Sequence, residues 1–290
     1  MTKSVAVVGD AFLDVVCNVS SELVQNTQMP AFVSVALGGT AASVALSAAN
    51  DGANVQLWAP RARDNAAHLL TQWITDAAVQ WHWTPQDATG VVTCIATPTG
   101  LKFLVKAREQ RDRLCEVNAL SMKHVGWIHL TGHWLFDTAP TWSSLAHVVA
   151  RWRSSNARIS IDLANRTRVA AIGQSAIETL LAIVRPDLFV CSSKEATIVD
   201  LASLLRRHGC RAVVTNSAQS ISIVESGFAR YVPIRNPVRV SSHALGAGDV
   251  FAGSLISNLH TGIPLAKAVQ VAAGDARERV HQVATSTAGQ

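Results

Sequence analysis

Residues 245–255 read Leu245-Gly246-Ala247-Gly248-Asp249-Val250-Phe251-Ala252-Gly253-Ser254-Leu255, and small residues here stand directly before an apolar pattern of helical period. The pattern predicts a helix that begins within this segment. Small residues at a helix start let an anion approach the free backbone N–H groups, and the helix dipole favours negative charge there. The segment therefore predicts a phosphate cradle, beside which the Asp249 carboxylate would take a proton from an attacking hydroxyl. The same residues also fit an ordinary glycine-rich helix start in which Asp249 only complements the dipole.

On the N-terminal side of this segment, short apolar runs typical of β-strands alternate with segments of helical period. Because consecutive parallel strands need long crossovers, the alternation predicts an α/β fold whose mostly parallel central sheet is flanked by helices. The predicted strands are Val5–Val8, Val55–Trp58, Val125–Leu130, Ile159–Asp162, Leu188–Cys191 and Ala212–Thr215. The predicted helices are Thr40–Asp51, Asp64–Ala77, Thr138–Ser155, Gln174–Val184 and Lys194–His208.

Two further segments, within residues 11–35 and 89–108, have the pattern of strands joined by hairpin turns. The second contains Pro98-Thr99-Gly100, which is typical of such a turn. We expect the two segments to form a small β-lid. Because the chain contains no internal repeat and no low-complexity linker, we expect a single domain over residues 1–290.

The composition excludes several classes of protein. With 290 residues, of which 49% are hydrophobic, the chain can bury a large core and is not a disordered polymer. The net charge of +5 is spread thinly, so no nucleic-acid partner is expected. The uncharged residues 23–50 are interrupted throughout by polar side chains, so no membrane span is expected. The apolar run Val5–Val8 is too short for a secretory signal, which favours a cytoplasmic location.

The cysteines and histidines do not form a recognisable metal site. The five cysteines are odd in number and widely spaced, which indicates reduced, mostly buried thiols. His129 and His133 are four residues apart, but the residues between them read as a strand that enters a loop, so a metal role is not expected. Neither G-x-x-x-x-G-K-[ST] nor G-x-S-x-G occurs, which excludes P-loop NTPases and serine hydrolases of that signature.

Further motifs accompany the C-terminal segment, which itself continues through Gly262-Ile263-Pro264-Leu265 to Ala268. In chain order these motifs are Gly9-Asp10 with Asp14, Gly38-Gly39 before the small residues 40–46, Asp162-Leu163-Ala164-Asn165-Arg166, Ser192-Ser193-Lys194-Glu195, and Thr215-Asn216-Ser217-Ala218-Gln219-Ser220. Each motif alone is weak, since strand ends, helix caps and turns use the same residue types. In this order and spacing, the chain resembles the ribokinase-like (PfkB) carbohydrate kinase family over nearly its whole length.

The resemblance implies a ribokinase-like fold and ATP-dependent phosphorylation of a primary hydroxyl on a small sugar or sugar acid, of the ketose or 2-keto-3-deoxygluconate type. It implies Asp249 as the general base and Gly246, Ala247 and Gly248 as the anion cradle. The residues implied at the sugar are Asp14, Gly38, Gly39, Ser43 and Arg166. The residues implied at the nucleotide are Ser192, Glu195, Thr215, Ser217 and Ala273, with Glu195 acting through water on Mg²⁺. The implied partners are the sugar, ATP and a second copy of the chain that pairs through the lid.

Several positions depart from the family pattern. His243-Ala244 replaces an Asp-Thr pair that helps to bind a monovalent cation in potassium-activated members, so no monovalent-cation requirement is predicted. Asparagines of the family are replaced by Ser43, Ala164, Ser192 and Ala273, and glycines by Ser217 and Ser220. Two alternatives therefore stay open beside the sugar kinase: a catalytically impaired member that binds sugar or nucleotide as a regulator, and a nucleoside kinase. Arg166 is equally compatible with a carboxylate-binding role and with a surface ion pair.

Overall fold

The computed structural model describes residues 3–105, 124–137, 142–163, 166–217, 219–225, 228–234 and 246–288. The strands in these ranges are β1 (Ser4–Val8), β2 (Phe12–Asn18), β3 (Phe32–Gly38), β4 (Val55–Trp58), β5 (Gln80–His82), β6 (Gly90–Thr97), β7 (Gly100–Val105), β8 (Val125–Leu130), β9 (Arg158–Asp162), β10 (Leu188–Ser192), β11 (Arg211–Asn216), β12 (Ser220–Glu225) and β13 (Phe228–Val232). The helices are α1 (Thr40–Asn50), α2 (Asn65–Asp76), α3 (Gly132–Asp137), α4 (Trp142–Ser154), α5 (Arg166–Ile172), α6 (Gln174–Val184), α7 (Ser193–Ala196), α8 (Leu201–His208), α9 (Ala247–His260) and α10 (Leu265–Ala288).

The larger sheet has nine strands in the order β13-β12-β11-β10-β9-β8-β1-β4-β5. All pairs from β11 to β5 are parallel, and β12 and β13 continue the sheet as antiparallel strands. Val8, at the end of β1, pairs with Trp58 on one side and Leu130 on the other, so the strand ends lie level. The predicted α/β fold with a mostly parallel central sheet is confirmed.

Both faces of this sheet are covered, which explains why its central strands are continuous apolar runs. Every residue of β1 is buried. Val5 and Val7 belong to a core that includes α1 and α9, whereas Ala6 and Val8 belong to a core on the other face that includes α4 and α6. Because successive side chains of a strand point to opposite faces, β1 contributes to both cores, and the larger sheet lies between two layers of helices.

The smaller sheet has four strands in the order β3-β2-β6-β7. Its strands fall in the two segments predicted to form a lid, although β3 continues beyond Val35 to Gly38, because pairing of Phe12 with Gly38 extends the β2–β3 ladder. Large apolar side chains stay exposed on β3 and β7: they are Phe32, Val33, Val35, Phe103, Leu104 and Val105.

The structure differs from the predicted elements at several places, and β5 and α10 are among the elements that were not predicted. The single helix predicted over Lys194–His208 is wrong: α7 ends at Ala196, and α8 begins after Asp200, whose carboxylate caps it by accepting from the Ser203 N–H at 3.0 Å. The β12–β13 hairpin was not predicted. Neither were the short helices α3 and α5, which are too brief to show a helical period. Residues 106–108 and 138–141 of the predicted lid and helix lie outside the described residues.

No single helix in the described ranges has the length and apolar composition of a membrane span. Among the described residues, one bent pair, α5 and α6, passes that test when the two helices are joined, and their axes differ by 94°.

Candidate active site

Asp249 lies in the first turn of α9, at the carboxyl edge of the large sheet. Gly246 precedes the helix in the left-handed conformation, with φ of 76°, which a glycine adopts without strain. The backbone N–H groups of the first helical residues have no intrahelical acceptor by the geometry of a helix start, and a side chain added at Gly248 would meet open space. The observed helix start therefore has the shape of the predicted anion cradle, with a half-buried carboxylate beside it.

Close packing against α1 fixes the position of α9. A side chain at Gly253 would collide with the Val44 carbonyl oxygen, so the two helix backbones approach each other here. The Ser47 hydroxyl donates to the Val250 carbonyl oxygen at 2.9 Å and ties the first turn of α9 to α1. Small residues on both helices thus determine where the Asp249 carboxylate stands.

The carboxylate of Asp14, on β2, lies directly over the Cα atom of Gly38. A side chain at Gly38 would overlap the Asp14 carboxyl group, which explains the requirement for glycine at the end of β3. At the next position, Gly39 has φ of 89°, and a Cβ atom there would lie 2.6 Å from the Asp10 carbonyl oxygen. The same carbonyl accepts from the Ala42 N–H at 3.1 Å, so the glycine pair lets the loop after β1 cap α1.

A buried polar network lies at the ends of β8 and β9. The Nε2 atom of His129 contacts Asp162 Oδ2 at 3.1 Å, and its Nδ1 atom contacts the Ser160 hydroxyl at 2.9 Å. Because an ionised carboxylate only accepts, the proton between His129 and Asp162 belongs to Nε2. The Gly132 N–H donates to the other oxygen of Asp162 at 2.9 Å, and Trp127 donates to Ser160 at 2.8 Å.

Three carboxyl groups, those of Asp249, Asp162 and Asp14, lie close enough for their charges to interact. Burial raises the pKa of Asp249 to about 8, and the negative charges of Asp162 and Asp14 add to this shift. Burial raises the pKa of Asp14 to about 6. Burial also disfavours the charged form of Asp162, but hydrogen bonds from His129 and Gly132 outweigh it and lower the pKa of Asp162. Asp249 is therefore the carboxyl group of the three whose pKa is raised furthest.

The predicted nucleotide-side residues lie at the ends of β10 and β11. Ser192 and Glu195 form a capping box: the Ser192 N–H donates to Glu195 Oε2 at 2.7 Å, and the Ser192 hydroxyl accepts from the Glu195 N–H at 3.3 Å. The Ser193 hydroxyl donates to the Asn216 side chain at 3.0 Å and joins the two strand ends. Ser217 has φ of 51°, so the turn after β11 keeps a conformation that favours glycine although the glycine is absent.

The remaining predicted residues are spread more widely. Ser43 is half-buried in the first turn of α1, and Ala273 is half-buried on α10. Arg166 is exposed at the start of α5, and the described part of the chain shows no contact between it and the three carboxylates. Ala164, His243 and Ala244 lie outside the described residues.

The residues present suit a magnesium ion that arrives with a nucleotide. Among the described residues no group of three or more metal-binding side chains forms a dedicated cage. Mg²⁺ keeps several waters and commonly takes one or two carboxylates together with substrate phosphates. One oxygen of Glu195 is used by the capping box. The other oxygen leaves room for a contact through water, as the resemblance implies.

His129 and Asp162 were not predicted as site residues. Asp162 was noted only as the first residue of the motif Asp162–Arg166, and His129 was considered only as a metal ligand and set aside. The fold gives a further indication that both residues belong to the site. Strands β8 and β9 are parallel neighbours, so their carboxyl ends lie at the same edge of the sheet as Asp249. Only the register of β8 on β9 brings the histidine to the carboxylate.

Comparison with known proteins identifies the family. The sequence profile described as "pfkB family carbohydrate kinase" matches residues 2–288. A search of curated proteins finds no significant match.

Solved structures share the fold over nearly the whole chain. Adenosine kinase from Sinorhizobium meliloti matches with a TM-score of 0.78 at 18% identity, covering 98% of this chain and 95% of that one. A carbohydrate kinase from Agrobacterium tumefaciens gives 0.73 at 18% identity, with 95% and 90% covered. Ribokinase from Thermotoga maritima gives 0.72 at 17% identity, with 98% and 99% covered. The chain belongs to the pfkB family of carbohydrate kinases, and is accordingly a phosphotransferase with a ribokinase-like fold.

Proposed function

We propose that the protein is an ATP-dependent kinase that phosphorylates a primary hydroxyl of a small sugar or sugar acid, of the ketose or 2-keto-3-deoxygluconate type. The observation that carries this proposal is the arrangement of Asp249 at an open helix start, with its pKa raised to about 8 by burial and by two neighbouring carboxylates. A general base works best when its pKa lies near the working pH.

The proposed reaction uses Asp249 as the base. Its ionised carboxylate takes the proton of the sugar hydroxyl, and the hydroxyl oxygen attacks the γ-phosphorus of ATP. The bond between the γ-phosphorus and the β–γ bridging oxygen breaks, and its electron pair leaves with ADP. The N–H groups at the start of α9 would donate to the phosphoryl oxygens as the charge moves, with support from the helix dipole.

The other residues hold the two substrates. Asp14, fixed over Gly38, would accept hydrogen bonds from sugar hydroxyls. Ser43 lies in the first turn of α1, one helical turn after Gly39, and would contact the same sugar. Arg166, exposed at the start of α5, would bind the carboxylate of a sugar acid if that carboxylate reaches α5 when the substrate is bound. Mg²⁺, held by the phosphates and by Glu195 through water, would neutralise phosphate charge when bound.

The small sheet is proposed to act as a lid and as the contact between two copies of the chain. Its strand β2 carries Asp14, so closure over the crevice would exclude water from the reacting phosphate. The exposed apolar side chains of β3 and β7 form the surface that a second copy would cover. A molar mass near twice that of the chain in analytical ultracentrifugation is the expected result. We also propose that the protein works in the cytoplasm, where its cysteines stay reduced.

The structure favours an active kinase over an impaired regulator. Ser192 replaces an asparagine yet forms a complete capping box, and Ser217 replaces a glycine yet keeps the left-handed backbone. At these two positions the backbone therefore accommodates the serine in a regular local structure. One neutral hydrogen bond contributes only about 1 kcal/mol, so losing one weakens binding more readily than it abolishes turnover.

ATP-to-ADP turnover tests the proposal directly. The protein is assayed with Mg²⁺ against ketoses, sugar acids and nucleosides, with and without potassium. We expect turnover on a ketose or sugar acid, indifferent to potassium, and a loss of at least 10³-fold in Asp249→Asn. Asp76→Asn, at the exposed end of α2, is the matched control and should keep full activity. Turnover only on nucleosides would favour the nucleoside kinase, and ATP binding without any turnover would favour the regulator.

A further inference from the structure

A cavity of about 300 Å³ lies beside the base of the small sheet, between the loop after β4, the first turn of α2 and the end of β5. Its lining residues are Arg61, Ala62, Arg63, Ala67, His68 and Trp83. None of the residues placed in the active-site crevice lines it. Its volume is that of a pocket for a small ligand and far exceeds the space for one water molecule.

The charge of this cavity is not neutralised by the protein. Arg61 and Arg63 form no ion pair in the part of the chain that the structure describes. The nearest carboxylate in the sequence, Asp64, is already occupied: it accepts from the Ala67 N–H and the Thr89 N–H, each at 2.8 Å, and from the Thr89 hydroxyl at 2.6 Å. Two positive charges thus share one wall.

Aromatic stacking holds the Arg61 side chain in place. Its guanidinium carbon lies 5.7 Å from the centre of the Trp81 ring and 5.2 Å from that of Trp83. Such stacking orients a guanidinium and leaves its in-plane N–H groups available to an acceptor. Trp83 is itself 44% exposed, so the cavity offers an apolar face beside the charges.

Two buried donors in this region have no hydrogen-bond partner. They are Nε of Arg61 and Nε2 of Gln86, whose backbone N–H donates to the Arg61 carbonyl oxygen at 3.1 Å. Buried polar groups are almost always hydrogen-bonded in folded proteins, so these two donors, like Nε1 of Trp58 at the end of β4, are exceptions.

We propose that this cavity is a second ligand site, which binds a small organic molecule through an oxyanion group, either phosphate or carboxylate. Arg61 and Arg63 pair with the oxyanion, and Trp83 contacts the apolar part of the ligand. The Asp64–Thr89 hydrogen bonds connect the cavity to the start of β6, which pairs with the Asp14 strand β2. The proposed site therefore lies next to the residues that join α2 to the small sheet. This inference does not depend on the proposed function.

Titration calorimetry with inorganic phosphate, and separately with citrate, tests the site. We expect one of the two anions to bind the intact protein, and Arg63→Gln to weaken that binding at least tenfold, since charge-assisted bonds are lost. Arg63 is exposed, so this variant should fold normally. Arg206→Gln, at an equally exposed arginine on α8, is the matched control and should bind as the unchanged protein does.

Indole N–H resonances locate the bound anion, because the crevice at α9 also attracts phosphate. Comparison with Trp83→Phe assigns the Trp83 signal, and the anion is expected to shift it in the unchanged protein but not in Arg63→Gln. Equal affinity of both anions for the unchanged protein and for Arg63→Gln would overturn the proposal. So would a Trp83 signal that neither anion moves.

Discussion

At the scale of single residues, the charge of Asp249 depends on its two acidic neighbours. Burial and the negative charges of Asp162 and Asp14 all favour its protonated form, and raise its pKa to about 8. A base must be ionised to accept a proton, so activity should rise with pH through the pKa of Asp249. His129 and Gly132 keep Asp162 charged and so contribute to this arrangement without touching a substrate.

Asp162→Asn should move the acid limb of the pH profile to lower pH. The substitution keeps the shape of the side chain but removes one negative charge near Asp249, so the pKa of Asp249 falls, by about half a unit to one unit. The measurement is kcat/KM against pH, which reports the groups of the free enzyme. Asp76→Asn provides the baseline. An acid limb that stays in place or moves to higher pH would contradict the coupling of these carboxylates.

Ser217→Gly should stabilise the protein by roughly 0.5–1 kcal/mol. Ser217 has a positive φ, where a Cβ atom costs free energy that glycine avoids, although glycine also gains freedom in the unfolded chain. Urea denaturation measures the difference. Ser220→Gly is the matched control: Ser220 is the first residue of β12, and glycine in a strand is expected to destabilise. A loss of stability in Ser217→Gly would show that the hydroxyl compensates for the strained backbone.

At the scale of elements, the pairing of α1 with α9 determines where the Asp249 carboxylate lies. The α1 helix begins at the glycine pair that adjoins Asp14, and α9 begins at the anion cradle. Contact at Gly253 and the Ser47–Val250 hydrogen bond hold these two helix starts in one arrangement. The Asp14 side and the Asp249 side of the crevice are therefore mechanically connected through one helix pair.

Gly253→Ala tests this connection. The added methyl group collides with the Val44 carbonyl, so the helices must separate, at a cost of about 1–3 kcal/mol in unfolding free energy. The displacement also moves Asp249, so kcat should fall by at least tenfold. Gly274→Ala on α10, where an added methyl meets open space, should leave stability unchanged or higher. Equal stability of the two variants would contradict close packing at Gly253.

At the scale of the whole molecule, the sequence predicted the parallel sheet because its strands are buried on both faces and read as apolar runs. It did not predict β12, which alternates polar and apolar residues, or β13, which is exposed at four of its five residues. In the site, Asp249 was predicted from its place in a helix start of small residues and then from the family motif, whereas Asp14 was predicted from the family motif alone. The contact of Asp14 with Gly38 could not be predicted, since it depends on the register of two strands joined by a long connection.

Raised carboxyl pKa values also make the stability of the whole fold depend on pH. A carboxyl group whose folded pKa exceeds its unfolded value stabilises the fold below the unfolded pKa, and this contribution is lost as pH rises through the folded pKa. For Asp249 that window runs from its ordinary value of 3.8 to about 8, and for Asp14 from 3.8 to about 6. Under the proposed function, the ionised Asp249 that acts at neutral pH therefore also weakens the fold.

Asp249→Asn should consequently gain stability over the unchanged protein as pH rises. The difference in unfolding free energy is expected to grow by about 4 kcal/mol between about pH 5 and pH 9, because only the unchanged protein must ionise a carboxyl group whose pKa is raised in the fold. Urea denaturation across this range measures the difference, with Asp76→Asn as the reference for a surface aspartate. A gap between Asp249→Asn and the unchanged protein that narrows with rising pH would show that Asp249 is ionised in the fold at low pH, contrary to the electrostatic arrangement described above.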